Sequence, residues 1–371
     1  MLLSEVWATG NIGEEVDAPD FAIEVDRILT INTLDSILGG IKATGGGIGL
    51  IVAANVFADI VAEGDTPTGT IGAIEVSGQI GSSVAGNINI HSHNDTGTVL
   101  ASRIYADIDT RVGGGNGNLT LLRTTGTTAN IFRGSLVTKS IVGTATQHGL
   151  QVYGDLDANI TIEEDVRRAI IVSGEFKPGK TLEIKGQMLN NAGTNLGALS
   201  IGTLGGTVKF TRSSAAIQAP VTIGTIATTG RLETSNTLET GRTISVTGYM
   251  DGLIKIGDSL VGNIDIDQSQ GLRGQIIING DAMTTPGTWT GSVLIGSLTL
   301  NQNQAQPYDA PYYDALPSVL GGGSVGLAPF RLHEKACTPP HGILVGERNL
   351  PRCTRTLTAP TTRSSSCRTG R

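Results

Sequence analysis

The chain has 371 residues, of which 52 are glycine; 39% are hydrophobic, only 4% are aromatic, and the formal net charge is −7. A core of this chain must be built from Ile, Val, Leu and Ala rather than from aromatic rings. No segment is long and apolar enough to span a membrane. No long amphipathic helical pattern occurs between the apolar runs, which argues against a doubly wound α/β fold.

The first residues predict no targeting segment. Met1–Trp7 reads MLLSEVW and has neither the basic region nor the apolar stretch that a signal peptide needs. Residues 22–25 already alternate apolar and polar side chains, yet no amphipathic helix precedes them to cap the first coil of a repeat protein. We therefore expect that the chain begins inside a longer protein.

Two short sequence units recur along the chain. In the first, h-x-h-x-G-x-h with h apolar, the glycines are Gly78, Gly154, Gly174, Gly186 and Gly248. The second, [GA]-N-h-x-h, contains Asn87, Asn118, Asn159 and Asn263. Glycine and asparagine predict corners between short strands. The asparagines have two interpretations: they serve only as turn residues, or they stack as a ladder of side-chain hydrogen bonds.

Short strands at intervals of about 10 to 12 residues fit an antiparallel sandwich or a parallel solenoid. A sandwich should show Asn-Gly hairpins and an aromatic core, and both are nearly missing here. A solenoid needs coils of about 20 to 25 residues with small branched residues stacked inside. The sequence therefore predicts an all-β parallel β-helix, or β-solenoid, over residues 1–300, with the right-handed coils that parallel crossovers favour.

The segment His91-Ser-His93-Asn-Asp95 follows two isoleucines at alternate positions. If these isoleucines point inward, His91 and His93 point outward on one face. Two imidazoles and a carboxylate can hold a transition metal or act as base and acid. Exposed polar residues at the end of a strand explain the same pattern, so His91, His93 and Asp95 are candidates only.

Three Asp-x-Asp pairs are expected on the outer face of the coils: Asp107/Asp109, Asp155/Asp157 and Asp265/Asp267. Stacked carboxylates can bind Ca²⁺ through oxygen ligands. Solubility and protection of a long β-structure from aggregation explain them more simply. No other cofactor is predicted.

The stretch Gly174–Thr181, GEFKPGKT, matches the phosphate-loop pattern G-x-x-x-x-G-K-[ST]. That pattern binds a nucleotide only where a strand precedes the loop and a helix begins at its Lys-Thr. Residues 182–188 instead alternate apolar and polar side chains like a strand. The segment is therefore predicted to be a coil corner with an exposed lysine pair around Pro178.

The repeat pattern stops near residue 301, and residues 301–328 are predicted to be a Pro/Tyr/Gly-rich linker or a C-terminal cap. The strings GGGSVGLAPF and CTPP within residues 307–342 resemble the C-terminal portion of uncharacterised, repetitive secreted proteins of planctomycete-type bacteria. This resemblance implies a secreted β-solenoid protein and no particular biochemical activity.

Residues 329–371 hold eight Lys/Arg and two Glu, a net charge of +6, which leaves 18 basic and 31 acidic residues, a net charge of −13, in residues 1–328. Three interpretations are open: a disordered basic tail, translation out of frame from Ile343 onward, and an unspecific nucleic-acid-binding tail. No specific nucleic-acid partner is predicted.

All three cysteines, Cys337, Cys353 and Cys367, lie in this tail, and an odd number fits no closed disulfide framework. His333, Cys337 and His341 have the spacing of ligands on a helix. Pro339 and Pro340 break such a helix, and fewer than four ligands are present, so no zinc site is predicted.

Parallel solenoids also include polysaccharide-degrading enzymes. Those that resemble pectate lyases use an acidic calcium cluster with an Arg or Lys base, and those that resemble polygalacturonases use paired aspartates with Gly-His-Gly. This sequence contains no Asp-Asp, no Gly-His-Gly and only two tryptophans for sugar stacking. No catalytic residue is therefore assigned.

The predicted function is structural: an extracellular or cell-surface rod that serves as a stalk, an adhesin-like protein or a surface-layer component. Its expected partners are surface polysaccharide or other cell-surface proteins, and its location is inferred from the fold and the resemblance. The alternative is a carbohydrate-active enzyme or polysaccharide-binding protein on a pectate-lyase-like β-helix.

Overall fold

The computed structural model describes residues 1–14, 21–64, 68–84, 86–112, 117–125, 131–143, 148–189, 198–211, 221–235, 243–257, 263–266, 275–278 and 292–295. These residues form 28 β-strands and no α-helix. The chain divides into two compact units, Met1–Arg212 and Ser213–Arg371.

The first unit contains β1 (Leu2–Ala8), β2 (Phe21–Val25), β3 (Arg27–Thr33), β4 (Ser36–Ile37), β5 (Gly40–Ala43), β6 (Ile48–Ala53), β7 (Asn55–Val56), β8 (Ile60–Ala62), β9 (Ile71–Val76), β10 (Gln79–Ile80), β11 (Ile88–Ser92), β12 (Thr96–Ala101), β13 (Arg103–Asp109), β14 (Leu119–Thr124), β15 (Ile131–Thr138), β16 (Leu150–Val152), β17 (Asp155–Ile162), β18 (Ile170–Phe176), β19 (Thr181–Ile184), β20 (Leu199–Leu204) and β21 (Thr207–Phe210).

These strands stack in parallel columns, with one strand from each successive coil. The first column is β1-β3-β6-β9-β12-β14-β16-β18-β20. The third column is β2-β5-β8-β11-β13-β15-β17-β19-β21. Between them, β4, β7 and β10 form a short second column, which continues through the first residues of β13, β15 and β17. The predicted parallel β-solenoid is confirmed, with about nine turns.

The length of each coil follows from the strand register. Ile48 pairs with Ile71, and Ile71 pairs with Thr96, so these two coils have nearly the same length. The coil between the paired residues Leu150 and Ile170 is much shorter than the coil between Ile170 and its partner Leu199. Coil length therefore varies more than the repeat pattern predicts, because the corners differ in length while the strands stay aligned.

The core is a set of aliphatic stacks that run through neighbouring coils. In the first column the same inward position is occupied by Ile31, Ile51, Ile74, Val99, Leu122, Leu150 and Ile170, all fully buried. In the third column the equivalent position holds Ile41, Ile60, Ile90, Ile108, Leu136, Ile160, Leu182 and Val208. Each such side chain contributes about 1.5–3 kcal/mol by leaving water, so the stacks hold the coils together.

The neighbouring first-column strands β6, β9 and β12 each carry one extra outward residue at equivalent positions. Their buried residues lie three apart rather than two, as in Ile48 and Ile51 of β6. The first residue of each interruption is a glycine: Gly49 in β6, Gly72 in β9 and Gly97 in β12. A Cβ atom on Gly72 would overlap the carbonyl oxygen of Gly49, and one on Gly97 would overlap that of Gly72. Glycine is required here because successive backbones approach closely.

The second unit contains β22 (Val221–Ile226), β23 (Arg231–Thr234), β24 (Thr243–Val246), β25 (Leu253–Ile256), β26 (Asn263–Ile266), β27 (Gln275–Ile278) and β28 (Ser292–Ile295). The parallel pairs follow the same rule, with β22-β24-β26-β28 in one column and β23-β25-β27 in another. The predicted linker at 301–328 and the predicted tail at 329–371 lie outside the described residues.

Candidate functional site

The phosphate-loop-like segment forms the corner between β18 and β19. The turn spans Lys177 to Lys180, and Gly179 within it has a φ of +76°, a backbone geometry that favours glycine. The residues after it, Thr181–Ile184, are strand β19 rather than a helix. The predicted coil corner is confirmed, and the helix N-terminus that a nucleotide phosphate needs is not formed at this position.

Both lysines of this corner are paired with carboxylates, which corrects the expectation of an exposed lysine pair. Lys177 Nζ lies 2.7 Å from Asp155 Oδ2 and 2.6 Å from Glu175 Oε2. Lys180 Nζ lies 3.2 Å from Asp157 Oδ1. The lysine side chains are 33% and 30% exposed. Because acidic residues of β17 and β18 neutralise these lysines, the corner does not present free positive charge to a phosphate.

The pairing shifts the ionisation of Asp155 and Lys177. Burial alone raises the pKa of the Asp155 carboxyl group, but hydrogen bonds from Lys177 and from the Glu175 backbone N–H outweigh burial, so its pKa lies below the ordinary value. Hydrogen bonds to Asp155 and Glu175 raise the pKa of the Lys177 ammonium group. The stabilisation by Asp155 is therefore complete above the unfolded-state pKa of about 4 and is lost as pH falls through the lower folded-state pKa.

We expect Lys177→Met to lower the free energy of unfolding at pH 7 by about 0.5–1 kcal/mol, since solvent screens a pair that is one-third exposed. Lys177→Arg keeps the charge and should lose less. Urea denaturation at pH 7 and at about pH 2 checks the cause: the difference between wild type and Lys177→Met should shrink as pH falls, because protonation of the Asp155 carboxyl group removes its charge from the pair. An equal difference at both pH values would show that packing of the lysine stem, and not its charge, stabilises the corner.

Other outward charges are paired in the same way between coils. Lys42 Nζ lies 3.0 Å from Glu63 Oε2 of the next coil. Glu163 Oε1 lies 3.0 Å from both Arg111 Nη1 and Lys185 Nζ. Burial raises the pKa of Glu163, and the stronger opposing effect of these two cations lowers it below the ordinary value. The outer face therefore carries ion pairs that connect successive coils.

The histidine candidates lie where the alternation predicts, but they do not converge on a metal site. In β11, Asn89 and His91 are partly exposed and Ser92 is buried. His91 is in register with Val61 on one side and Asp109 on the other. His93 and Asp95 come after the end of the strand. No group of three His, Cys, Asp or Glu residues that could hold a metal occurs among the residues the structure describes.

The carboxylates near these histidines already accept hydrogen bonds. Asp95 Oδ1 accepts from the Asn118 backbone N–H at 2.7 Å and from Asn118 Nδ2 at 3.0 Å. Asp109 Oδ1 accepts from the Arg111 backbone N–H at 2.7 Å. Among the described residues, no hydrogen bond or ion pair joins either carboxylate to His91 or His93.

The Asp-x-Asp pairs are also engaged with protein groups. Asp107 accepts hydrogen bonds from Ser135 Oγ at 2.7 Å and from Asn87 Nδ2 at 3.4 Å. Asp155 and Asp157 form the lysine pairs described above, and Arg133 Nε lies 3.5 Å from Asp157 Oδ2. Asp267 and the side chain of Asp265 lie outside the described residues, as do His333, Cys337 and His341. Asp107, Asp155 and Asp157 therefore connect neighbouring coils, whereas the hydrogen bond of Asp109 described above is to Arg111 of its own coil.

The asparagines of the second repeat unit occupy different places in the coil. Asn87 precedes β11, Asn118 precedes β14, Asn159 lies within β17, and Asn263 begins β26. Asn87 and Asn118 donate to aspartates of neighbouring coils, and Asn159 Oδ1 accepts from the Thr181 backbone N–H at 3.0 Å. These three asparagines therefore pair with an aspartate or a backbone group, and their described contacts include no asparagine stacked on asparagine. The side chain of Asn263 lies outside the described residues.

The sequence patterns missed another pair of this type. Asn89 donates its backbone N–H to Asp59 Oδ1 at 2.7 Å and its Nδ2 to Asp59 Oδ2 at 2.9 Å. The only sequence signal for such a contact is an Asn and an Asp separated by one coil length. Because coil length varies in this chain, that signal does not identify the pair.

The glycines of the first repeat unit allow coils to approach one another. A Cβ atom on Gly78 would lie 2.8 Å from the Ala54 carbonyl oxygen, and one on Gly174 would lie 2.6 Å from that of Gly154. On Gly186 it would overlap the backbone of Glu164, and on Gly248 that of Gly224. Gly174 lies inside β18 at a shift in register. These glycines are therefore needed because a neighbouring backbone occupies the space of a side chain.

An open groove runs across several coils at the carboxyl ends of the first-column strands. Its lining includes Leu34, Val52, Glu75 and Leu100. Asn32 also lines the groove. Trp7 of β1 is in register with Asn32, and its side chain is 68% exposed. An exposed indole beside polar side chains is a surface on which a sugar ring can stack. The sequence did not reveal this surface, because the presence of two tryptophans does not show where either lies in the fold.

Comparison with protein-family models, with curated proteins and with solved structures finds no match for this chain. The resemblance of residues 307–342 to repetitive secreted proteins stays a prediction, and those residues lie outside the described part of the chain. Within that part, no helix has the length and apolar character needed to cross a membrane.

Proposed function

We propose that the protein is a structural β-solenoid of the cell surface or the extracellular space, serving as a stalk, an adhesin-like protein or a surface-layer component. The observation that carries this proposal is the use of the outward polar side chains. Lys177, Lys180, Glu163, Asp107 and Asp95 bind groups of neighbouring coils. Such side chains hold a repeat structure together and are not available to a substrate.

The aliphatic stacks support the same proposal. Each coil stacks its apolar side chains in register on those of the adjacent coils, so the unit can extend by adding repeats without a new core. A spacer or stalk needs this property. Surface polysaccharide or other cell-surface proteins would be its partners.

A second candidate function is binding or cleavage of a polysaccharide on the same solenoid, because the exposed Trp7 is in register with Asn32, which lines the groove. His91, His93 and Asp95, the residues proposed as base and acid for cleavage, are not among the residues that line this groove. The carboxylate of Glu75 is the acidic group that lines the groove among the described residues, and glycoside hydrolysis uses two carboxyl groups.

A turnover assay on a panel of plant, algal and bacterial polysaccharides separates the two functions. We expect no release of reducing ends and no unsaturated product from the wild type or from the His91→Ala/His93→Ala double variant. Turnover by the wild type that disappears in the double variant would overturn the structural proposal. Surface biotinylation of intact source cells tests the location, and labelling only after cell lysis would contradict it.

A further inference from the structure

Two arginines of the first unit differ from its other half-buried cations. Lys42, Arg111, Lys139, Lys177, Lys180 and Lys185 are partly exposed, and each has a carboxylate oxygen within 4 Å. Arg123 and Arg168 are buried to a similar degree, and the described residues supply no carboxylate to either of them. The Nε atom of each is buried without a hydrogen-bond partner.

Arg168 has a histidine beside it in the adjacent coil. Leu150 is in register with Ile170, and the Gly149 backbone N–H donates to the Ala169 carbonyl oxygen at 3.0 Å. His148 and Arg168 each lie one residue before this pair, in the segments that enter β16 and β18. The Nδ1 atom of His148 is also buried without a partner. Two side chains that can each donate a hydrogen bond thus precede paired strands of adjacent coils, and each has a buried nitrogen without a partner.

The direction of the Arg168 side chain is fixed by glycine. Gly143 has a φ of +60°, and a Cβ atom at that position would overlap the Arg168 side chain. A Cβ atom on Gly149 would overlap Ile141 Cγ2 and would only reach ordinary contact with Arg168 Cβ, at 3.4 Å. The aliphatic stem of Arg168 therefore lies in the space that Gly143 leaves open.

We propose that Arg168 and His148 form a binding site for an oxyanion, either a free anion such as sulfate or a carboxylate or sulfate group carried on an acidic polysaccharide. Buried donors in native proteins are paired with few exceptions, and an ion is one of the partners that complete them. The planar guanidinium group presents parallel N–H donors that match two oxygens of one anion. A protonated Nδ1 of His148 supplies a further donor from the adjacent coil.

The neighbouring residue Arg167 gives a matched control. Arg167 is exposed, and its Nη2 lies 4.0 Å from Asp165 Oδ2. Arg167→Gln removes the same charge from the same corner as Arg168→Gln, without removing a donor of the proposed site. If the two variants differ in anion affinity, the difference is due to the proposed site and not to the loss of one positive charge at this corner.

The test is a titration of ¹⁵N-labelled full-length protein with sodium sulfate, and sodium chloride at equal ionic strength is the control. NMR shifts of the backbone amide signals of Gly149 and Ala169 report binding. We expect the wild-type signals to shift saturably with sulfate. Arg168→Gln removes a charge-assisted bond and should raise the Kd for sulfate by about tenfold or more. Arg167→Gln should keep the Kd within about twofold of the wild-type value. His148→Gln should weaken binding as well, so the proposal is tested even if Arg168→Gln does not fold.

A second titration uses galacturonate and its trimer. Tighter binding of the trimer assigns the oxyanion to a polysaccharide, and equal binding of trimer and monomer assigns it to free anions. Shifts that are linear in sulfate and equal to those with chloride would overturn the proposal. So would equal affinities in wild type, Arg168→Gln and His148→Gln.

Discussion

Gly72→Val is expected to destabilise the first unit by about 3 kcal/mol, the upper range for forcing extra atoms into a packed site. Gly72 lies in β9 between Gly49 and Gly97 of the adjacent coils. Its new Cβ atom would overlap the Gly49 carbonyl oxygen, and the neighbouring Gly49 carbon and Cα atoms lie only 3.2 and 3.4 Å away. Since these are backbone atoms in a hydrogen-bonded sheet, they cannot move aside as a flexible side chain does.

The control for this variant is Gly10→Val. A Cβ atom on Gly10 would have no atom within 4 Å, so the change should alter the free energy of unfolding by no more than about 0.5 kcal/mol. Urea denaturation of both variants, followed by far-UV circular dichroism, gives the comparison. Equal stability of Gly72→Val and Gly10→Val would contradict the close stacking of the first-column backbones.

The stacked glycines also illustrate what the sequence could predict. The strands were predictable because alternate apolar residues specify which face of each short strand is buried. The small aromatic content correctly indicated a core of Ile, Val and Leu. Gly49, Gly72 and Gly97 fell outside the repeat units, because their signal is a recurrence after one coil length and not a local motif.

The contacts between outward side chains were not predictable, because they depend on the register between coils. The coil from Leu150 to Ile170 is short, whereas the next coil, from Ile170 to Leu199, is much longer. A small error in the length of a corner would move Lys177 away from Asp155 and assign it another partner. The GEFKPGKT segment could thus be recognised as a corner, while the pairing of its lysines required the structure.

The candidate asparagines failed to form one column for the same reason. Asn118 and Asn159 share a local motif, yet one precedes a first-column strand and the other lies within a third-column strand. The motif describes a bend followed by a strand, and every coil contains more than one such bend. Local similarity therefore does not identify equivalent positions in a solenoid with several strands per coil.

Ile74→Ala is expected to lower the free energy of unfolding by about 2–5 kcal/mol, the range for truncating a large aliphatic side chain in a packed core. Ile74 is fully buried and is stacked in register between Ile51 and Val99. The two flanking coils are held apart by their sheet hydrogen bonds at a fixed spacing, so the space left by the side chain cannot close.

Leu34→Ala removes the same number of carbons from a side chain that is 77% exposed, and it should change stability by no more than about 0.5 kcal/mol. Calorimetric unfolding of the two variants gives the measurement. If Ile74→Ala is no less stable than Leu34→Ala, the interior is not a packed stack. Because each coil contacts only its neighbours, the double variant Ile51→Ala/Ile74→Ala should deviate from additivity. Ile184 lies several coils further along, in β19. The stability losses of Ile74→Ala and Ile184→Ala should therefore add in the double variant.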